Sequence, residues 1–175
     1  ALDALNRSPR VIFEGGAGTG KTLIAAEGRR RAVEHGASVL YTCRSAFIAM
    51  YVQRQEGLKE VVCMPFEMLK QQPAKKFDLL IVDEAQDMNA SQLALARKSV
   101  RKGGRLIAVG DDRQAIYGWR GADSQFLDRM ISELGADTLP LPVTYRCGKT
   151  IVELAQKYVP DYEAHDGNGD GIVRA

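Results

Sequence analysis

The chain has few cysteines, two histidines, a single tryptophan and almost no net charge, and these scarcities narrow what it can be. Cys43, Cys63 and Cys147 are odd in number, far apart and never in C-x-x-C spacing. That excludes a disulfide framework and a cysteine-rich zinc site, and it reads as buried free thiols in a reducing compartment. His35 and His165 stand alone and are assigned no role. No apolar run approaches the ~18 residues of a membrane span, and no signal peptide opens the sequence. A cytoplasmic protein with no membrane partner is therefore expected. The formal net charge is only +2, so a nucleic-acid reading has to come from motifs and not from bulk charge.

What is present is an ordinary globular composition, 45 % apolar and 26 % charged over 175 residues, enough for one domain with its own core. Short β-branched runs alternate with longer helical stretches. Strands are expected at 10–14, 38–42, 60–64, 77–83, 105–110 and 138–141. Helices are expected at 20–35, after Thr42 through Gln55, and at 66–71, 91–101, 124–134 and 148–158. Gly36 is placed to end the first helix, and Gly103-Gly104 to break the one before residue 105. The run FDLLIVD at 77–83 is apolar almost throughout, as in a strand buried on both faces. This alternation predicts an α/β fold, a parallel sheet with helices on both faces that binds ligands at the carboxyl ends of its strands. Residues 161–175 are polar and Gly-rich and read as a linker after a domain of residues 1–160. Within them DGNGDG at 166–171 matches only the first half of an EF-hand loop, and a plain turn is the better reading.

Gly15-Gly16-Ala17-Gly18-Thr19-Gly20-Lys21-Thr22 fits G-x-x-x-x-G-K-[ST] between a strand and a helix. The chemistry accounts for the residue types. Backbone N–H groups must turn inward to cradle phosphates, which side chains on Gly15, Gly18 and Gly20 would obstruct. The following helix N-terminus adds favourable potential for an anion, and Thr19 lies in the same loop. Lys21 is placed to reach the β- and γ-phosphates, and the Thr22 hydroxyl to ligate Mg²⁺. Leu79 to Glu84 supplies the other half: a buried strand delivers Asp83 to the Mg²⁺ shell, and Glu84 beside it can orient or deprotonate an attacking water. The expectation is a P-loop NTPase that hydrolyses ATP with Mg²⁺.

Asp83-Glu84-Ala85-Gln86-Asp87 resembles the DEAQD box of UvrD/Rep-type superfamily 1 DNA helicases. The fourteen residues from Val109 to Ala122 (VGDDRQAIYGWRGA) resemble that family's third motif, and Thr144-Tyr145-Arg146 its fourth. Tyr41-Thr42 with Arg44-Ser45 is a looser match to the motif after the first helix. The resemblance implies a RecA-like first motor domain that couples ATP hydrolysis to movement on single-stranded DNA, with RNA not excluded. It also implies site roles. Gln86 and Gln114 would sense the γ-phosphate, Tyr145 would stack on adenine and Arg146 would act as an arginine finger. Trp119 would stack on a base, with Tyr117, Arg120, Tyr41 and Thr42 on the same path. Two family features are missing from the sequence: a Gln ahead of the P-loop and the accessory subdomain usually inserted before the DEAQD box. A second RecA-like domain of the same parent protein is the expected partner, so the isolated domain is expected to be a weak ATPase. The alternative is an ATP-dependent switch or binding module that does not unwind.

Overall fold

A computed structural model describes residues 3–4, 7–54, 61–71, 75–114 and 126–173. Its centre is a six-stranded sheet, all pairings parallel, in the order β3-β2-β4-β5-β1-β6. The strands are β1 (Arg10–Gly15), β2 (Val39–Cys43), β3 (Val61–Pro65), β4 (Phe77–Asp83), β5 (Val100–Gly110) and β6 (Asp137–Leu141). The helices are α1 (Lys21–Glu34), α2 (Ala46–Gln53), α3 (Ala90–Lys98), α4 (Phe126–Leu134) and α5 (Lys149–Ala155). The expected α/β architecture and nearly every expected element are present.

Alternation along the strands divides the core in two. Leu80, Val82, Ile12, Leu106 and Ala108 face one side, where Phe66, Leu69, Leu93, Leu127 and Met130 cover them. Leu79, Ile81, Phe13, Ile107 and Val109 face the other, with Ala25 of α1 and Ala49 and Val52 of α2. The helix ends follow their local chemistry. Gly36, at φ +74°, closes α1 with paired bonds from Gly36 N to Val33 O and from Ala37 N to Ala32 O, both 2.9 Å. Asn89 and Gln92 open α3 with a reciprocal capping box at 2.9 Å each way.

Two boundaries differ from those read off the sequence. The helix expected to run to Arg101 ends at Lys98, because Val100 is already paired with Phe77 in the sheet. The Gly103-Gly104 pair therefore sits inside β5 and does not end a helix. Phe77 pairs with Val100 and Leu79 with Arg105, so residues 101–104 bulge out opposite Asp78 alone. The last helix stops at Ala155, not at Tyr158.

Residues 161–171, expected to run on as a linker, are hydrogen-bonded back onto the domain. β7 (Val143–Thr144) pairs in parallel with β8 (Glu163–Ala164). Asn168 Nδ2 donates to the carbonyls of Thr144 and Cys147, each at 2.8 Å, and Lys149 N and Thr150 N donate to Gly169 O and Asp170 O. Asn168 of the EF-hand-like stretch is thus a latch in a turn, and no metal-binding group of three His, Cys, Asp or Glu occurs among the described residues. Among those residues no helix is long and apolar enough to cross a membrane.

Leu80 is fully buried at the middle of β4. Leu80→Ala is expected to lower unfolding stability by about 2–5 kcal/mol through lost burial and a residual cavity, read as an earlier urea midpoint with an unchanged slope.

Candidate functional site

The glycine-rich loop leaves the carboxyl end of β1 and enters α1 through Gly20, whose φ of +89° favours glycine. Gly18 is constrained twice: its φ is +74°, and a Cβ there would run into Arg146 Cβ and lie 2.7 Å from Thr144 Oγ1. Lys21 is buried and its Nζ donates to the carbonyls of Gly15 (2.8 Å) and Gly16 (2.9 Å), which fixes the ammonium across the loop. Thr19 Oγ1 donates to Gly16 O at 3.0 Å.

β4 delivers Asp83 beside this loop, 1 % exposed. Burial raises its carboxyl above the usual range; the Tyr41 hydroxyl opposes that, the Glu84 charge adds to it, and Glu84 N–H and Thr22 hydroxyl bonds pull back down. Tyr41 Oη donates to Asp83 Oδ2 at 2.6 Å, and Glu84 N to Oδ1 at 3.0 Å. Alternation explains the first bond. Tyr41 pairs with Ile81 across β2 and β4, so Asp83, two residues on, shares its face. The reading of Tyr41 and Thr42 as DNA-lining residues is therefore corrected. Tyr41 is 1 % and Thr42 0 % exposed, because β2 lies inside the sheet with its faces covered. The sequence could not reveal the Tyr41–Asp83 bond, which depends on strand order and register.

The chain turns sharply at Glu84, which at φ 53° and ψ 52° is in the left-handed region that non-glycine residues seldom adopt. The turn swings Glu84 toward the loop. Its Oε2 accepts from Gln86 Nε2 at 2.7 Å, and Gln86 Oε1 accepts from Asp111 N at 3.1 Å. Asp111 Oδ2 in turn accepts from Gln114 Nε2 at 2.7 Å. A chain of four residues thus runs from the acid after β4 to the segment after β5, entering Asp111 at its backbone N–H and leaving by its carboxylate. Gly110 makes room for it, since a Cβ there would sit 2.7 Å from Gln86 Oε1. Gln86, 3 % exposed with both ends of its amide engaged, does not face the cleft; its expected contact with a nucleotide becomes a bridging position.

These elements surround an open cleft of about 400 Å³, lined by the loop from Ala17 to Thr22 and by Leu23, Glu84, Gln114, Tyr145 and Arg146. Tyr145 and Arg146 are held there from behind. Tyr145 N donates to Gly18 O at 2.9 Å, and Thr144 Oγ1 to Ala17 O at 2.8 Å. Tyr162 Oη also donates to Ala17 O, at 2.6 Å. The Tyr145 ring is 63 % exposed and lies 4.8 Å, centre to centre, from His165. Tyr162 carried no signal in the sequence, and Thr144 stood only as the first residue of a motif. Trp119, Tyr117 and Arg120 lie outside the described residues.

Residues 47–134 match the family model of the UvrD/REP helicase N-terminal domain. The chain is 37 % identical to DNA helicase II of Escherichia coli over 86 residues, 49 % of this chain and 12 % of that protein. It is 40 % identical to the ATP-dependent DNA helicase PcrA of Staphylococcus aureus over 85 residues, 48 % and 12 %. With DNA helicase II of Haemophilus influenzae it shares 30 % over 106 residues, 57 % and 15 %. The matched stretches thus span 12–15 % of these relatives. Among solved structures, a complex of the Arterivirus nonstructural protein 10 helicase with DNA superposes with a TM-score of 0.62. It covers 94 % of this chain and 43 % of that one at 18 % identity, a likeness of fold.

Asp112, after β5, accepts a bond from Leu127 N at the start of α4 at 3.3 Å. Its carboxyl is pushed from 3.8 up to about 6, chiefly by burial, with Leu127 N–H pulling down and the Asp128 charge pushing up. Because the folded state holds this proton more tightly than the unfolded chain, Asp112 makes stability fall as pH rises from about 4 to about 6. In Asp112→Asn that slope should flatten while the bond to Leu127 survives, and urea midpoints measured across this range test it.

Proposed function

The chain belongs to the UvrD/REP helicase N-terminal domain family, and from that premise we propose that it is the ATP-binding motor domain of a DNA helicase. On this reading it couples hydrolysis of Mg·ATP to movement on single-stranded DNA. The observation that carries the proposal is the convergence of Lys21, Thr22, Glu84, Gln114 and Arg146 on one cleft at the carboxyl edge of the sheet.

Each side chain has work suited to its position. Inward N–H groups of the loop and the Lys21 ammonium bind the β- and γ-phosphates. Thr22 hydroxyl and Asp83 carboxylate hydrogen-bond to each other at the loop, an all-oxygen donor set of the kind Mg²⁺ prefers. Mg²⁺ held there would neutralise charge on the phosphates. Glu84, its carboxylate fixed by Gln86, orients the attacking water and takes its proton. Gln114 stands where it can register the γ-phosphate and pass the change through Asp111 and Gln86. Arg146 stabilises charge in the transition state, a role worth roughly 10³–10⁵ in rate. Tyr145, exposed at the cleft, supplies a face for the base. The motif that contains Trp119, Tyr117 and Arg120 assigns these three the contact with the strand, Trp119 by stacking on a base.

Lys21→Ala is expected to abolish Mg·ATP binding, measured by calorimetry, while the urea midpoint stays close to that of the parent. Glu84→Gln should keep ATP affinity and lose roughly 10²–10⁴ in turnover; ATP affinity unchanged in Lys21→Ala would sink the assignment. Trp119→Ala should weaken single-stranded DNA binding by roughly 1–3 kcal/mol at constant ATP affinity. Loss of both together with early melting would make Trp119 a core residue instead.

A further inference from the structure

The edge of the sheet opposite the nucleotide cleft carries a run of charge of one sign. Arg97, Lys98, Arg101, Lys102 and Arg105 fall within nine residues that contain no acid. The structure brings Lys75 and Lys76, just ahead of β4, to the same edge, where Lys76 Nζ donates to Lys98 O. All seven side chains are exposed. In residues 75–78 and 97–105 together the one acid is Asp78, which pairs with Arg101 and accepts from Ser38 N and Oγ, both at 2.8 Å.

The backbone projects this charge. Residues 101–104 bulge opposite Asp78, and the bulge depends on glycine: Gly103 has φ +78°, and a Cβ on Gly104 would lie 3.1 Å from Asp78 O. Beside the bulge is a cavity of about 570 Å³, whose far wall is the end of α1 with Arg31 and His35. Arg31 bonds Glu27 at 2.8 Å, so the α1 wall is closer to neutral than the β5 rim.

We propose that this rim is a second nucleic-acid surface, which binds the phosphate backbone of duplex DNA without reading sequence. The chemistry of the rim selects the partner. Large exposed apolar side chains occur on α2 and α5 and near the carboxyl terminus, but none among the described residues lies in 75–78 or 97–105. A protein partner needs an apolar centre to its interface, and a single strand is held chiefly by stacking aromatics. A rim of exposed cations with no large exposed apolar side chain matches a regular array of phosphates, whose contacts release counterions. The inference rests on charge and exposure and is independent of the nucleotide site.

The test uses the full chain without nucleotide and a blunt duplex labelled for fluorescence anisotropy, titrated across a range of salt. Lys98→Ala with Lys102→Ala is expected to weaken duplex binding roughly tenfold at about 50 mM salt and to lower the log–log salt slope by about 2. Removing two exposed cations on the other side, Lys149→Ala with Lys157→Ala, should leave both values unchanged. Equal affinity and slope in the rim variant and the parent would overturn the proposal. So would a single strand or a polyglutamate of equal charge that binds as tightly as the duplex and shows the same sensitivity to the rim variant. Thermal melting of both variants at the parent's temperature establishes that charge, and not folding, is being read.

Discussion

A carboxylate that has to stay usable at 1 % exposure is the constraint around which the nucleotide side of this domain is arranged. Asp83 ends an apolar strand in the middle of the sheet, and burial there favours its neutral form. Three donors work against that: the Tyr41 hydroxyl, the Glu84 backbone N–H and the Thr22 hydroxyl. Each comes from a different part of the fold, and each is fixed by it. Tyr41 requires β2 to lie beside β4 in one register, Glu84 requires the left-handed turn, and Thr22 requires the loop to deliver α1 at that height. The phenol itself is pushed far above its usual range by burial and by Asp83, so it remains a donor.

The same turn begins the path away from the nucleotide side. A side chain leaving an extended strand would point across the sheet; at φ 53° Glu84 is redirected, and Gln86 is carried behind it. Gln86 has no freedom left, with its amide bonded to Glu84 at one end and to Asp111 at the other. Movement of the Glu84 carboxylate therefore costs a bond or drags the β5 terminus with it. A buried relay of this kind is mechanically stiff because a half-satisfied amide in a dry interior costs about 1–3 kcal/mol. Gly110 is what allows it to be this tight.

The parts legible in the sequence were those whose signal is local. The glycine loop, the FDLLIVD strand and the acid pair announce themselves within eight residues or fewer, and the structure places them together. What escaped depended on partners distant in the chain. Tyr41 looked like a residue of a DNA motif because its neighbour in register, Ile81, and hence its bond to Asp83, cannot be seen along one strand. The end of α3 is not visible along the chain, because what stops the helix is the pairing of Val100 with Phe77 across the sheet. Residues 161–171 have the composition of a linker, yet Asn168 and the backbone around Gly169 are bonded to α5 and β7.

Charge was misleading for a different reason. A net charge of +2 says nothing about how 24 cations and 22 anions are spread. Helix α1 uses its arginines internally: Arg30 lies between Glu27 and Glu34, and the two arginines beside Glu27 hold that carboxyl down to about 2. Residues 97–105 have no acids of their own to use theirs on. A parallel sheet has chemically distinct ends, and this one exposes polar loops with catalytic residue types at the carboxyl end and a cluster of exposed cations at the amino end. Strand polarity puts the two at opposite ends of β4, so that a polyanion bound at the amino end would not compete with phosphates bound at the carboxyl end.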